Sequence, residues 1–359
     1  MAAELGFPAI HFVMEATETQ YARVSAQLSA QPARWLVTGV AGFIGSNLLL
    51  KLLELDQIVV GLDNLETGFA HNLKQVQSLV SSERWKRFSF IERSIADVSG
   101  CREASRGVDY VLHQAALGSV PRSMVDPVAC HVANVTGFLH MIQAATEAKV
   151  KSFVYASSSA VYGDHPSLPK VESQIGAPLS PYAASKYIDE VYAEVYQRCY
   201  GLPCAGLRYF NVFGPRQNPD GAYAAVIPKW IAALMGNQPV VINGDGETSR
   251  DFCYVANVVQ ANILAATRVT GGSSSAEVFN VACQERTTLN SLFALLRDGL
   301  APVHPHVLQS RPEYRDFRAG DVRHSLADVS RAEKALGYRP THNLATGMSE
   351  ALAWYMQNL

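Results

Sequence analysis

The chain has 359 residues, 48% of them hydrophobic and 17% charged, enough to bury a large core in two lobes or one large α/β unit. Its net charge of −2, with no long run of Lys or Arg, offers no electrostatic footprint to nucleic acid or an anionic membrane, so any anionic ligand must be held locally. No apolar run reaches the roughly 18 residues of a membrane span, and stretch 6–14 follows Glu4 without the basic flank of a secretion signal.

Residues 15–33 read as a polar helix closing an N-terminal extension, 1–33. Trp35-Leu36-Val37-Thr38 is a short apolar run that enters Gly39-Val40-Ala41-Gly42-Phe43-Ile44-Gly45, and Ser46 to Leu55 continues with helical apolar spacing. Strand, glycine turn and helix in that order are the context for dinucleotide binding. Glycines let the backbone approach a pyrophosphate at the helix N-terminus, where free amides and the helix dipole favour negative charge. A tight βα turn without a ligand has the same local pattern. The next strand, Ile58 to Leu62, ends in Asp63-Asn64, about 20 residues beyond the glycines, where a carboxylate accepts from ribose hydroxyls and repels a 2′-phosphate; NAD is therefore expected rather than NADP.

Further strands are predicted at Phe88 to Ile91, Tyr110 to Ala116 and Phe153 to Ala156, with helical patterns between them. This alternation predicts a Rossmann-type doubly wound parallel sheet, with ligands beyond the carboxyl ends of its strands. The stretches placed there are Ala115 to Arg122 after the fourth strand, Ser157-Ser158-Ser159 after the fifth and Arg208 to Gly214 after the sixth. Beyond Asn211 the pattern loosens into Pro-, Gly- and Arg-rich stretches that suit a smaller α/β substrate-binding lobe. Gly271 to Ser275 reads as a loop before a strand at Glu277 to Ala282. The expected division is a cofactor domain of 34–210 with a return segment of about 251–282, and a substrate lobe of 211–250 and 283–359. The six cysteines show no C-x-x-C pair, which points to unpaired thiols in a reducing cytoplasm; His304-Pro305-His306 has no Cys or carboxylate cluster beside it, so no metal site is expected.

Within Ser180-Pro181-Tyr182-Ala183-Ala184-Ser185-Lys186, Tyr182 and Lys186 are four residues apart in a helical run and share a face. A phenol of pKa about 10 must drop roughly 3 units to act as a base near neutrality, about 4 kcal/mol. One ammonium about 5 Å away at an effective dielectric near 20 supplies about 3 kcal/mol, and a second positive charge, such as an oxidised nicotinamide ring, would supply the rest. An ordinary amphipathic helix face has the same spacing.

Taken together these motifs resemble the extended short-chain dehydrogenase/reductase family, and within it the nucleotide-sugar 4-epimerases, most closely those acting on UDP-N-acetylglucosamine. The similarity runs from about Trp35 to the C-terminal helix through the glycine loop, Asp63-Asn64, Asn134-Val135-Thr136-Gly137, the serine cluster before Tyr162-Gly163, Tyr182-x-x-x-Lys186 and Arg208 to Asn211. It implies Ser158, Tyr182 and Lys186 as catalytic residues. For NAD it implies Gly39, Gly42, Phe43, Ile44, Gly45, Asp63, Asn64, Ser94, Ile95, Gln114, Ala115, Ala116, Asn134, Tyr182, Lys186 and Val212. For the UDP-sugar it implies Gly118, Ser119, Arg122, Ser158, Ser159, Asn211, Ala225, Val226, Trp230, Asn243, Arg250, Arg318, Asp321 and Ser325, with Arg250 and Arg318 as forks for diphosphate oxygens. Ser325 matches a position where some plain hexose epimerases carry a bulky tyrosine, so it would leave volume for an acetamido group; a surface helix-capping serine is the alternative.

Ser94 stands where the family usually has an adenine-binding Asp, with Asp97 three residues on. Ala160 stands where related dehydratases and decarboxylases carry an acidic residue, which favours epimerisation. The implied reaction is reversible C4 epimerisation of a UDP-N-acetylhexosamine through a 4-keto intermediate. Epimerisation of UDP-N-acetylglucosaminuronate or UDP-glucose is the alternative, and a non-catalytic NAD-binding protein of the same fold a more distant one. A homodimer through the Tyr182-to-Cys199 helix and the helix after Asn134 is also implied.

Overall fold

The computed structural model describes residues 19–219, 225–268, 277–317 and 322–358. The first half runs α1 (Gln20–Ala30), β1 (Arg34–Thr38), α2 (Phe43–Glu54), β2 (Ile58–Asp63), α3 (Ala70–Leu79), α4 (Ser82–Trp85), β3 (Phe88–Glu92), α5 (Val98–Ala104), β4 (Tyr110–His113), α6 (Val120–Val125) and α7 (Pro127–His131). A π-helical turn, Val132–Thr136, leads into α8 (Gly137–Glu147), β5 (Ser152–Ser158), α9 (Pro181–Tyr200) and β6 (Cys204–Tyr209). Then come β7 (Val212–Phe213), α10 (Val226–Met235), β8 (Val241–Asn243), β9 (Ser249–Arg250), β10 (Cys253–Tyr254), α11 (Val255–Thr267), β11 (Glu277–Val281), β12 (Thr287–Thr288), α12 (Leu289–Leu300), β13 (Glu313–Arg315), α13 (Ser330–Leu336) and α14 (Leu344–Asn358).

Seven parallel strands form the central sheet in the order β11-β6-β5-β4-β1-β2-β3. Because helices cover both faces, the inner strands are continuous apolar runs: Trp35, Leu36 and Val37 are fully buried. One face packs under α1, α2, α3 and α11, the other under α5, α8 and α9. The order turns back between β1 and β4, and this switch point is where a doubly wound sheet opens a crevice for ligand. The fold class is the doubly wound parallel sheet expected from the strand and helix pattern.

Between β6 and the final strand the chain leaves the sheet, and α11 and β11 bring it back, β11 pairing with β6 from Glu277 opposite Ala205 to Val281 opposite Tyr209. The segments outside the sheet gather α10, α12 and α14 around a separate apolar core, with small pairings of β10 on β7, β12 on β9 and β13 on β8.

Several expected boundaries move. The fourth strand stops at His113 rather than Ala116, because the Gln114 amide donates to the Thr38 carbonyl and the Ala115 amide turns onto Thr38 Oγ1 at 3.2 Å. Ser157 and Ser158 lie within β5, opposite Arg208 and Tyr209, so neither the serine pair nor Arg208-Tyr209 follows its strand. The N-terminal helix is Gln20–Ala30, capped by Thr19, shorter than 15–33; residues 15–18 and Gly271 to Ser275 lie outside the described residues. No described helix is long and apolar enough to cross a membrane.

Candidate active site

At the switch point the glycine loop forms a cradle. Gly39 has φ +65°, and a Cβ there would sit 2.8 Å from the Ala115 amide nitrogen, while one on Gly45 would sit 2.0 Å from the Gly39 carbonyl oxygen. Both are therefore confined to glycine. Gly42 is the N-cap of α2 and brings no side-chain acceptor, which leaves the first amides of the helix to an anion. Asp63 is buried; its Oδ2 accepts from the Ala41 amide at 2.9 Å and its Oδ1 from the Leu65 amide at 2.8 Å. Burial raises its pKa. The carboxylate thus fixes the glycine loop, and its remaining acceptor sites can take hydroxyl groups.

These residues line a cleft of about 350 Å³. Gly39, Gly42, Phe43, Ile44, Gly45, Asp63, Asn64, Ser94, Ile95, Gln114, Ala115, Ala116 and Gly118 share its walls with Leu62, Glu66, Thr67, Gly68, Arg93, Leu117 and Ala133. A glycine cradle, a helix N-terminus and a ribose-reaching carboxylate on one cleft fit a dinucleotide. Sequence reasoning missed the Glu66-Thr67-Gly68 turn, although it follows Asp63-Asn64 directly. Asp97 stands outside that lining: it caps α5 through the Ser99 amide and pairs with Arg93 at 2.8 Å. The Ser99 hydroxyl and then Arg93 hold its carboxyl down at about 2.

Asn134, Tyr182, Lys186 and Val212 stand outside the lining of that cleft. Asn134 lies in the π-helical turn, a distortion often found at functional sites. Its Oδ1 accepts from the Leu117 amide at 2.7 Å, and its Nδ2 donates to the Leu117 carbonyl at 3.2 Å and to Ser185 Oγ at 3.0 Å. The amide therefore bolts the cleft wall to α9. That helix starts at Pro181 under the cap of Ser180, and the Tyr182 amide donates to Ser123 Oγ at 3.1 Å. Half-buried Tyr182 and buried Lys186 lie one turn apart on it. The Lys186 ammonium meets Asp189 Oδ2 at 3.2 Å, with both side chains almost wholly buried. Ser158 ends β5, its Oγ accepting from the Ala160 amide at 3.1 Å, and Ser159 follows it, half-buried.

Two candidates take part in the framework. Arg122 donates to Glu66 at 2.9 Å and is itself tied to the Ser119 cap, its amide donating to Ser119 Oγ at 3.1 Å. Trp230 is buried in the lobe core, edge-on to Phe293. Ala225 caps α10 and Val226 opens it; Asn243 ends β8. Asn211 takes φ +36° and donates to the Asp251 carbonyl at 3.0 Å, while Val212 pairs with Cys253. Ser325 is not a helix cap: it follows a bridge between His324 and Ser249, and its amide donates to the Ser249 carbonyl at 3.0 Å.

Arg250 lies in β9 beside this segment, donating to the Ser249 carbonyl at 3.0 Å. Burial first, then the charges of Arg286, Arg323 and Arg250, lowers the His324 pKa, so cationic side chains from separate elements converge here. Arg286 and Arg323 escaped the sequence reading because nothing local marks them. Arg318 and Asp321 lie outside the described residues. Among the described residues no three His, Cys, Asp or Glu side chains cluster as metal ligands.

The sequence matches the NAD dependent epimerase/dehydratase family over residues 35–282. A UDP-glucose 4-epimerase of Mycolicibacterium smegmatis is 37% identical over 326 residues, 90% of this chain and 98% of the relative. Among solved structures, the UDP-N-acetylglucosamine 4-epimerase from Methanobrevibacter ruminantium M1, in complex with UDP-N-acetylmuramic acid, is similar with a TM-score of 0.82 and 36% identity, covering 91% of this chain and 99% of that one. The UDP-glucuronic acid 4-epimerase from Bacillus cereus, in complex with UDP-glucuronic acid and NAD, has a TM-score of 0.79 at 29% identity, covering 91% and 100%.

Proposed function

Because the chain belongs to the NAD-dependent epimerase/dehydratase family, we propose that it is a UDP-sugar 4-epimerase acting on UDP-N-acetylhexosamines, interconverting UDP-N-acetylglucosamine and UDP-N-acetylgalactosamine. The observation that carries this reading is the Asn134 clamp, which joins the dinucleotide cleft at Leu117 to the helix bearing Tyr182 and Lys186. Cofactor and base can then act on the same carbinol, one at C4 and the other at O4. NAD, when bound, supplies the redox chemistry by accepting hydride from C4 of the sugar and returning it.

The chain's own residues handle the proton. Tyr182, as phenolate, takes the proton from the sugar O4; Ser158 hydrogen-bonds O4 and relays it; Lys186 lowers the cost of the phenolate. C4 is inverted because the 4-keto sugar presents its other face before the carbonyl is reduced again, and Tyr182 then returns the proton to O4. The nucleotide must stay gripped while the hexose turns, and Arg250, with Arg286 and Arg323 nearby, supplies cationic forks for a diphosphate. Ser325 supports the acetamido preference, since a short side chain leaves room in the sugar pocket.

In this reading residues 34–210 with 251–282 serve NAD, and 211–250 with 283–359 serve the UDP-sugar. The second copy of a homodimer would cover the outer stripe of α9, where Tyr187, Val191 and Val195 are 38%, 47% and 43% exposed. Six free thiols suit a reducing cytoplasm. The test is to identify the nucleotide released from purified protein, then offer UDP-N-acetylglucosamine, its uronate and UDP-glucose. Interconversion of the N-acetylhexosamine pair is expected to be fastest, and Tyr182→Phe should bind NAD yet turn over slowly. Normal turnover in that variant would end the mechanism.

A further inference from the structure

The helix that carries the base has one more charged group on the same stripe. Tyr182, Lys186 and Asp189 stand at i, i+4 and i+7 of α9, the spacing of a single helix face. Asp189 is completely buried and holds the Lys186 ammonium at 3.2 Å through Oδ2. Its other oxygen, Oδ1, is buried without a partner among the described residues. An interior carboxylate satisfied on one oxygen only is costly, and an apolar residue would fill the place more cheaply. Glu190, the next residue, differs: both its oxygens are taken by Arg208, at 2.9 and 2.8 Å, and Ser157 adds a donor at 2.6 Å. Glu190 has a structural role in plain view, whereas Asp189 contributes one contact, and that contact is to Lys186.

We propose that Asp189 is a positioning residue for the epimerisation: it anchors the Lys186 ammonium below Tyr182, and its negative charge offsets part of the field by which Lys186 favours the Tyr182 phenolate. This rests on the reading of Tyr182 and Lys186 as base and activator. The groups facing the pair arrive from each packed element. Tyr155 of β5 and Cys130 of α7 lie near Asp189, and burial raises both, so they stay neutral. His113 of β4 lies near Lys186 and is lowered to about 3 by burial and by that charge, so it is neutral too. Glu190 is neutralised by Arg208. Asp189 is then the anion that answers Lys186. Burial raises its carboxyl pKa, and Lys186 pulls it back towards the charged form.

Asp189→Asn preserves shape and removes the charge. With Lys186 unopposed, the phenolate forms at lower pH, so the acid limb of kcat/KM should move down by about half a pH unit or more. Asp189→Glu keeps the charge on a longer arm, so its limb should stay in place while kcat falls severalfold and KM holds. Titrating the phenolate absorbance of NAD-loaded protein, as the difference between each form and its Tyr182→Phe counterpart, reads the same shift without turnover. An unmoved limb and an unmoved titration in Asp189→Asn, with Tyr182→Phe inactive, overturn the role of Asp189 and leave the base assignment intact. A normally active Tyr182→Phe would instead sink the base assignment and this inference with it. If Asp189→Asn does not fold, Asp189→Glu decides: unchanged kcat there overturns the positioning role.

Discussion

Removing the Arg208 guanidinium should unfold the protein more readily without loosening its cofactor. Arg208 forks onto Glu190 at 2.9 and 2.8 Å, donates to the Glu172 carbonyl at 3.0 Å and lies 4.8 Å above the Tyr162 ring. The paired side chains are only 4% and 7% exposed. Arg208→Met leaves Glu190 buried with Ser157 as its one remaining donor from this cluster, and breaking a buried pair on one side costs about 3–5 kcal/mol. An unfolding entropy of about 2.1 cal/mol/K per residue over 359 residues comes to roughly 0.75 kcal/mol/K, so Tm should fall by about 5 °C. Adding Glu190→Leu removes the stranded charge and should recover most of that loss. Thermal unfolding of the single and double variants, with NAD content measured alongside, tests this. A fall of less than about 1 °C in the single variant, or no recovery in the double, refutes the stability argument. Loss of NAD at an unchanged Tm would make Arg208 a ligand residue instead.

The remaining predictions concern the cleft and its surroundings. His113 is fully buried and lowered to about 3, whereas unfolded it titrates near 6.5, so its contribution to stability is full above about pH 6.5 and is lost as pH falls towards 3. In urea titrations the wild type should lose stability relative to His113→Gln by about 1.4 kcal/mol per pH unit across that window; a flat difference would contradict a neutral buried histidine. Gly45→Ala, whose Cβ would meet the Gly39 carbonyl oxygen at 2.0 Å, should abolish NAD retention. Gly107→Ala, at φ +65° with open surroundings, should cost about 1 kcal/mol and keep NAD; equal NAD loss in both would show that the cradle is not the cause. Ser325→Tyr should lower kcat/KM for N-acetylated substrates at least about tenfold more than for plain hexoses, and equal losses would remove Ser325 from the sugar pocket.

What was legible in the sequence was local. The glycine loop, Asp63 and the Tyr182-Lys186 spacing carry their conformational requirements in neighbouring residues, and the structure joins the loop and Asp63 on one cleft. The strand ends were less legible, because an apolar run does not record where its ladder stops. β4 ends where Gln114 and Ala115 bend onto Thr38, and β5 continues through polar Ser157 and Ser158 because β6 pairs with them. Arg208 looked like part of a ligand motif, yet its partner Glu190 lies on another element. Asp189 was within reach, since it falls on the same helix face as Tyr182 and Lys186, but the spacing alone does not disclose that the carboxylate is wholly buried.

The late return of the chain to its sheet bears on how the protein is made. β6 is complete at Tyr209, but the strand that covers its outer edge starts at Glu277. At a synthesis rate of about 5–20 residues per second, the intervening stretch of roughly 70 residues keeps that edge without its native neighbour for about 4 to 14 seconds. Its six residues, Cys204 to Tyr209, are all buried in the finished fold, so a nascent chain presents a strand built for the interior with open hydrogen-bonding groups, the kind of edge that recruits other strands. Substitutions that slow the assembly of the inserted lobe should therefore lower soluble yield during expression while leaving the finished protein no less stable.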